Sequence, residues 1–368
     1  EIINLAKKAG YVDLEEKIKA GKIKTGDKIY AVNKNKAVAM FHIGNEYLSD
    51  GLAIVGGHID SPRLDLKPVP LTEENGLAYL KTHYYGEVKK YNWTNMPLAL
   101  HGVVFTKNGE KVDISIGDKD DEPVFFISEL LIHLSRQLME KSAKEVITGE
   151  QLSIIVGNRP LLDEKENPVK KNILKILNEK YGIEEEDFIT AELEAVPAGK
   201  AREVGFDKSM IASHGHDDRV CSYAALRALL DIKETKKTLV GLFVDKEEIG
   251  SVGATGMTSQ FFENTLLEIM NLKEEFDLIK FKRALKNSKV LSADVTLAED
   301  PNFKDATESQ NAAQISHGVA LTKYTGSGGK GGSNDADAEY LSEVRLAFNK
   351  DEVIFQTGEL GKVDQGGG

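Results

Sequence analysis

Apolar residues in this chain fall into short unbroken runs, and the runs alternate with stretches of helical period. Runs of that length, rich in β-branched residues and bounded by glycine or turn residues, predict buried strands. They occur at 29–32 and 37–41 around a turn at 33–35, and again at 52–55, 238–244 and 289–293. Residues 2–10, 220–230, 260–270 and 335–348 carry the helical pattern, while 318–324 and 353–357 read as further strands. No element is assigned to 271–288. Between 71 and 199 the texture changes. Strand-like pieces at 78–84, 98–105 and 114–116 alternate with loops such as 107–109. A helix is then expected over 128–141, with Ile127, Leu131, Leu134 and Leu138 on its apolar face, Leu130 beside it and His133 roughly 100° off that face. A second helix, 170–180, is closed by Gly182. Strands with polar tips begin before 71 and resume after 199. The class is therefore α/β, with one domain formed by 1–70 and 200–368 and a second, 71–199, inserted into it.

The polar tips carry the candidate chemistry. The run 238–244 climbs straight into Asp245, Glu247 and Glu248. Neighbouring carboxylates repel unless a cation or a proton separates them, and the ends of strands in open α/β sheets are where ligands bind. A solvated acidic loop accounts for the same residues taken alone. The run 52–55 ends in Gly56, Gly57, His58, Ile59 and Asp60. The glycines permit close backbone approach. His58 and Asp60, two apart, point to one side of an extended chain. One can ligate a metal while the other orients it; a purely structural histidine is the plainer alternative. The run 289–293 ends in Asp294, and Asp217 and Asp218 open the helix 220–230, where the helix dipole favours carboxylates. An N-cap aspartate would look the same. His214 and His216 are taken as wall residues rather than ligands. Together, His58, Asp217, Glu248 and Asp294, with Glu247 alongside, suit a pair of divalent ions about 3.5–4 Å apart.

Composition narrows the classes. With 41% hydrophobic and 29% charged residues the chain reads as a soluble globular protein, and no apolar run approaches the ~20 residues of a membrane span. A single cysteine, Cys221, leaves no internal disulfide framework and fits a cytoplasmic, reducing setting. A net charge of -12 argues against a nucleic-acid partner, and an acidic substrate would need a local basic pocket. The glycine-rich stretch 326–332 is no phosphate loop, because Lys330 is followed by glycine rather than Ser or Thr.

Five segments, Gly57-His-Ile-Asp-Ser-Pro62, Asp217-Asp-Arg-Val220, Asp245-Lys-Glu-Glu-Ile-Gly-Ser251, Ser292-Ala-Asp294 and Gly358-Glu-Leu-Gly-Lys-Val-Asp364, closely resemble the aspartyl aminopeptidase / aminopeptidase I family of dinuclear zinc aminopeptidases. The resemblance runs along nearly the whole chain. It implies the zinc exopeptidase fold, a mixed sheet flanked by helices, with a smaller β-rich insertion that makes dimers and covers the site. Dimers would assemble into a homo-dodecamer. The reaction implied is removal of the N-terminal residue, Asp or Glu among the candidates, from peptide substrates. Two divalent ions per subunit would serve it, zinc first, with cobalt or manganese as alternatives. His58, Asp217 and Asp294 would hold one ion, and Asp217 would bridge to a second held by Glu248. Glu247 would be the general base on the bridging water, Asp60 would hydrogen-bond His58, His133 would reach a neighbouring subunit's site, and Lys323 would line the substrate pocket. The family's second metal also takes a histidine near the C-terminus; the last histidine here is His317, so the sequence is expected to stop short of it. Two other readings stay open: a deacylase or carboxypeptidase on the same scaffold, and a catalytically silent assembly protein.

Overall fold

The computed structural model describes residues 1–330 and 332–366; Gly331 of the glycine-rich stretch and Gly367 and Gly368 of the tail lie outside the described residues. The chain divides into two compact units. One comprises 1–57, 220–243 and 262–368, the other 58–219 and 244–261.

The first unit is built on a six-stranded mixed sheet in the order Val12–Asp13, Lys28–Asn33, Ala37–His42, Leu239–Val244, Ala53–His58, Lys289–Ser292. Ala37–His42 is buried along its whole length, which accounts for an unbroken apolar run where alternation would mark a half-exposed strand. It pairs antiparallel with both neighbours. Beyond it the strands run together. Ala53 N–H donates to Thr238 O at 3.1 Å, and Lys289–Ser292 pairs in parallel with residues 53–56. Phe41, Met40, Phe243, Leu229, Ile269 and Phe281 fill the core.

The second unit holds an antiparallel sheet in the order Lys111–Ile116, Leu98–Phe105, Glu192–Pro197, Arg63–Glu74, Leu77–Tyr85, Ile154–Gly157. Its buried face, with Leu64, Leu80, Leu98, Leu100 and Ile154, packs against the helix Pro168–Tyr181 through Val169, Ile173 and Leu177. That helix starts on Pro168, which pre-sets the first turn, and stops at Gly182 in the left-handed conformation. Among the described residues no helix is long and apolar enough to cross a membrane.

Three expectations are corrected. Residues 128–141 do not form one helix. They fold into a turn, Ile132–Leu134, and a short helix, Arg136–Met139. A helix draws most of its stability from burying its apolar stripe. Here Leu130, Leu131, Ile132 and Leu134 stay exposed, while the Ser135 hydroxyl donates to the Ile132 carbonyl and closes the turn. The strand Lys289–Ser292 is exposed rather than buried, because it stands at the edge of its sheet with one neighbour. The unassigned stretch contains the helix Leu278–Asn287, capped by the Asp277 side chain and resting on buried Phe281 and Ala284. Its dense lysines mask a narrow apolar stripe in the sequence.

Gly56 lies in the first sheet where a Cβ would run into the Leu242 carbonyl oxygen. Gly56→Ala must push two paired strands apart, and such overpacking costs about 1–3 kcal/mol. The expected outcome is a lowered thermal midpoint in calorimetry; an unchanged midpoint contradicts the close approach.

Candidate metal centre

The site grows out of strand ends. Ala53–His58 delivers His58, 3% exposed, and the chain turns at once to Asp60 and Ser61, both also buried. Leu239–Val244 delivers Asp245, which is 6% exposed and accepts from the Thr255 hydroxyl at 2.6 Å. Lys246 then adopts a left-handed conformation (φ 71°), and the single turn Glu247–Ile249 closes at Gly250, also left-handed. This pair of reversals places two consecutive glutamates on one tight turn. Gly86 (φ 77°) sits against it, and a Cβ there would come within 3.3 Å of the Glu248 side chain.

His58 is held from both sides. Its Nδ1 lies 3.0 Å from the Asp60 backbone oxygen and 3.3 Å from Asp60 Oδ1. The acceptors on that side suit an Nδ1 proton, which would leave the Nε2 lone pair for a cation. Nε2 faces Asp217 Oδ1 at 3.1 Å and Glu247 Oε2 at 3.8 Å. His58, Asp217 and Glu248 each offer a ligand atom, all within 4.8 Å of one another. Asp218, fully buried and joined to Asp217 by a cis peptide bond, offers an oxygen within 4.8 Å of a His58 nitrogen as well.

The carboxylates are not equivalent. Burial would raise Asp60, but hydrogen bonds with His58 and Tyr85, together with the His58 charge and the Glu248 N–H, hold it below its ordinary value. Glu248 goes the other way. Burial first, then the Asp217 charge, push it up to about 7. A nitrogen flanked by crowded, partly desolvated carboxylates is the donor set of a hard or borderline divalent cation, and zinc accepts such a mixture. The residues therefore fit a metal.

Asp294, in the first unit, is exposed just past the edge strand Lys289–Ser292. Lys323 follows the short strand Val319–Leu321 of that unit, and its carbonyl accepts from Ala336 N–H at 2.7 Å. His133 stands in the exposed turn Ile132–Leu134. His214 lies edge-on to Trp93 with ring centroids 6.0 Å apart, and burial, then Arg219, lower its pKa. Neither His133 nor His214 joins a metal-holding group among the described residues. Sequence reasoning missed Tyr85 and Arg63. The Tyr85 hydroxyl donates to Asp60 Oδ2 at 2.7 Å, and the Arg63 guanidinium lies 3.7 Å from the Tyr85 ring centroid. Only the strand register Arg63↔Tyr85 signals that pairing, and it needs the fold.

Comparison with known proteins gives this geometry a family. The model for aminopeptidase I zinc metalloprotease (M18) matches residues 1–368. A probable M18 family aminopeptidase 1 of Clostridium acetobutylicum is 52% identical, over all of this chain and 80% of its own length. One from Thermotoga maritima is 46% identical, again over 100% of this chain and 80% of that protein. The crystal structure of an M18 aminopeptidase from Thermotoga maritima superposes with a TM-score of 0.94 at 45% identity, covering 100% of this chain and 80% of that one. The mApe1 dodecamer of S. cerevisiae, at 22% identity, shares the fold with a TM-score of 0.74 over 98% of this chain and 81% of that one. The chain belongs to the M18 aminopeptidase I family of zinc metalloproteases and is a metal-dependent aminopeptidase.

Proposed function

We propose that this aminopeptidase holds two zinc ions, with His58, Asp217 and Asp294 on one and Asp217 and Glu248 on the other, and that Glu247 is its general base. The observation that carries the reading is the convergence of His58 Nε2, Asp217 and Glu248 within 4.8 Å, with Glu247 at 3.8 Å from the same nitrogen. What supports Glu247 over Glu248 as the base is its exposure. It stands outside that ligand group, and its side chain is 42% exposed, within reach of a bound peptide and of water. When bound, the ions polarise the scissile carbonyl and acidify the attacking water. Glu247 takes the proton of that water and returns it to the departing amine, so one carboxylate serves as base and then as acid. Asp60 fixes the His58 tautomer throughout. The free amine of the substrate needs an anion, and the carboxylate cluster supplies one.

The preferred substrates are peptides with an acidic N-terminal residue. The chain carries a net charge of -12, so such a side chain needs a local cation, and Lys323 is the one assigned. Homo-oligomeric assembly toward a dodecamer and a cytoplasmic setting complete the reading. The first is supported by the shared fold of mApe1, the second by a single cysteine.

Glu247→Gln is expected to retain zinc, measured by atomic absorption after dialysis, and to lose roughly 10²–10⁴-fold in kcat. Undiminished turnover would remove Glu247 from the reaction. Lys323→Ala is expected to raise KM for aspartyl and glutamyl amides and leave leucyl amide unchanged; equal effects on both would reject the acidic preference. In chelator-treated protein, Glu248 contributes stability fully present below its unfolded value of 4.5 and lost as pH rises through about 7. Glu248→Gln should therefore gain on the parent in urea unfolding as pH climbs through that window. Parallel pH curves for the two proteins would contradict the crowding.

A further inference from the structure

Asp60 is the point where four donors meet. Its Oδ1 accepts from Glu247 N–H at 3.2 Å and lies 3.3 Å from His58 Nδ1. Its Oδ2 accepts from the Tyr85 hydroxyl at 2.7 Å and from Glu248 N–H at 3.3 Å. The three nitrogen contacts are long and weak; the phenol contact is short. Tyr85 itself is 6% exposed and cannot swing away. Its strand partner across the sheet is Arg63, whose guanidinium lies 3.7 Å from the ring centroid, while Lys246 Nζ stands 5.1 Å from the same centroid. Arg63 is anchored in turn, with Nε 2.7 Å from Asp65 Oδ1 and 3.2 Å from Glu194 Oε1. A paired strand therefore carries the phenol, an ion-paired guanidinium backs it, and its hydroxyl ends on a carboxylate that touches both the histidine and the glutamate turn.

We propose that Tyr85 is a positioning residue of the metal centre. Its hydroxyl locks Asp60 in the single rotamer that can serve His58 and the Glu247–Glu248 turn together, and Arg63 clamps the ring that carries it. The inference rests on the reading of His58 and Glu248 as metal ligands. Without the hydroxyl, Asp60 Oδ2 keeps only the 3.3 Å contact from Glu248 N–H, too weak to fix the side-chain torsion. The carboxylate turns, the His58 ring loses one of its two acceptors, and the glutamate turn loses its anchor. Lys246, at the head of that turn and beside the same ring, ties the two effects together.

Tyr85→Phe removes one hydroxyl and keeps the ring under Arg63. Zinc affinity is measured by competition with a chromophoric chelator, and kcat and KM with an aminoacyl amide on the reconstituted full chain. Loss of a partner that orients a ligand typically costs 10–100-fold; one step further out, Tyr85→Phe is expected to weaken zinc binding about tenfold and lower kcat with KM nearly unchanged. Arg63→Lys, which keeps the charge but loses the planar stack, should shift both in the same direction by less. Tyr85→Leu separates hydroxyl from ring. If Phe behaves as the parent and Leu alone loses zinc, the residue only fills space and the proposal falls. If both Tyr85 variants bind zinc as the parent does while Glu248→Gln binds weakly, the proposal falls and the ligand reading stands. If Glu248→Gln and Asp217→Asn also bind zinc as the parent does, the ligand reading fails and takes the proposal with it.

Discussion

Carboxylates crowd one imidazole, and their mutual repulsion is the constraint that the centre is built around. Asp60 lies 3.3 Å from His58 on one side; Asp217 and Glu247 lie 3.1 and 3.8 Å from it on the other, with Glu248 in the same cluster. Like charges at such separations raise one another's pKa unless each finds a counter-charge or donors. Asp60 receives the phenol, two backbone N–H groups and the imidazole. Glu248 is pushed up to about 7, by burial first and then by the Asp217 charge. A divalent cation at the cluster would offset the repulsion.

Backbone shape makes the crowding possible. Two glutamates in succession on an ordinary strand would point to opposite faces. Here the strand stops at Val244, Lys246 takes a left-handed conformation, and the following turn directs the Glu247 and Glu248 N–H groups at one aspartate. Gly56 lets its strand pass against Leu242, and Gly86 lets the chain after Leu77–Tyr85 pass against Glu248. At Gly56 a side chain would occupy space already filled, and at Gly86 (φ 77°) it would be strained and press on the Glu248 side chain, so the glycines are part of the site's construction although they carry no functional group.

The sequence reveals these features unevenly, for physical reasons. The strand that delivers Glu247 is legible because a strand buried on both sides reads as a continuous apolar run. The ligand candidates are legible because polar residues at the tips of such runs have few structural explanations. The stretch 128–141 misleads because its leucines have helical spacing yet stay exposed, so the burial that would make the helix is missing. The helix Leu278–Asn287 is hidden by its lysines. Asp218 looks like a cap beside a ligand, and only coordinates reveal it as fully buried next to the histidine. Tyr85 and Arg63 sit in strands with nothing local to distinguish them from any other aromatic and basic pair.

The division of labour among the acids follows from where donors are and are not provided. A carboxylate held ionised by hydrogen bonds, as Asp60 is, cannot exchange protons near neutral pH, and so it suits orientation. A carboxylate pushed toward 7 by burial and then by its neighbours would release its proton when a cation arrives, and so it suits ligation. Glu247 is the third kind. Its side chain is 42% exposed and contacts the histidine only at 3.8 Å, so water and substrate can reach it and a proton can leave it again. In the proposed reading, three roles arise from one residue chemistry because the fold sorts the acids by donors and by depth. That sorting, more than the identity of the residues, separates a working centre from an acidic loop of the same composition.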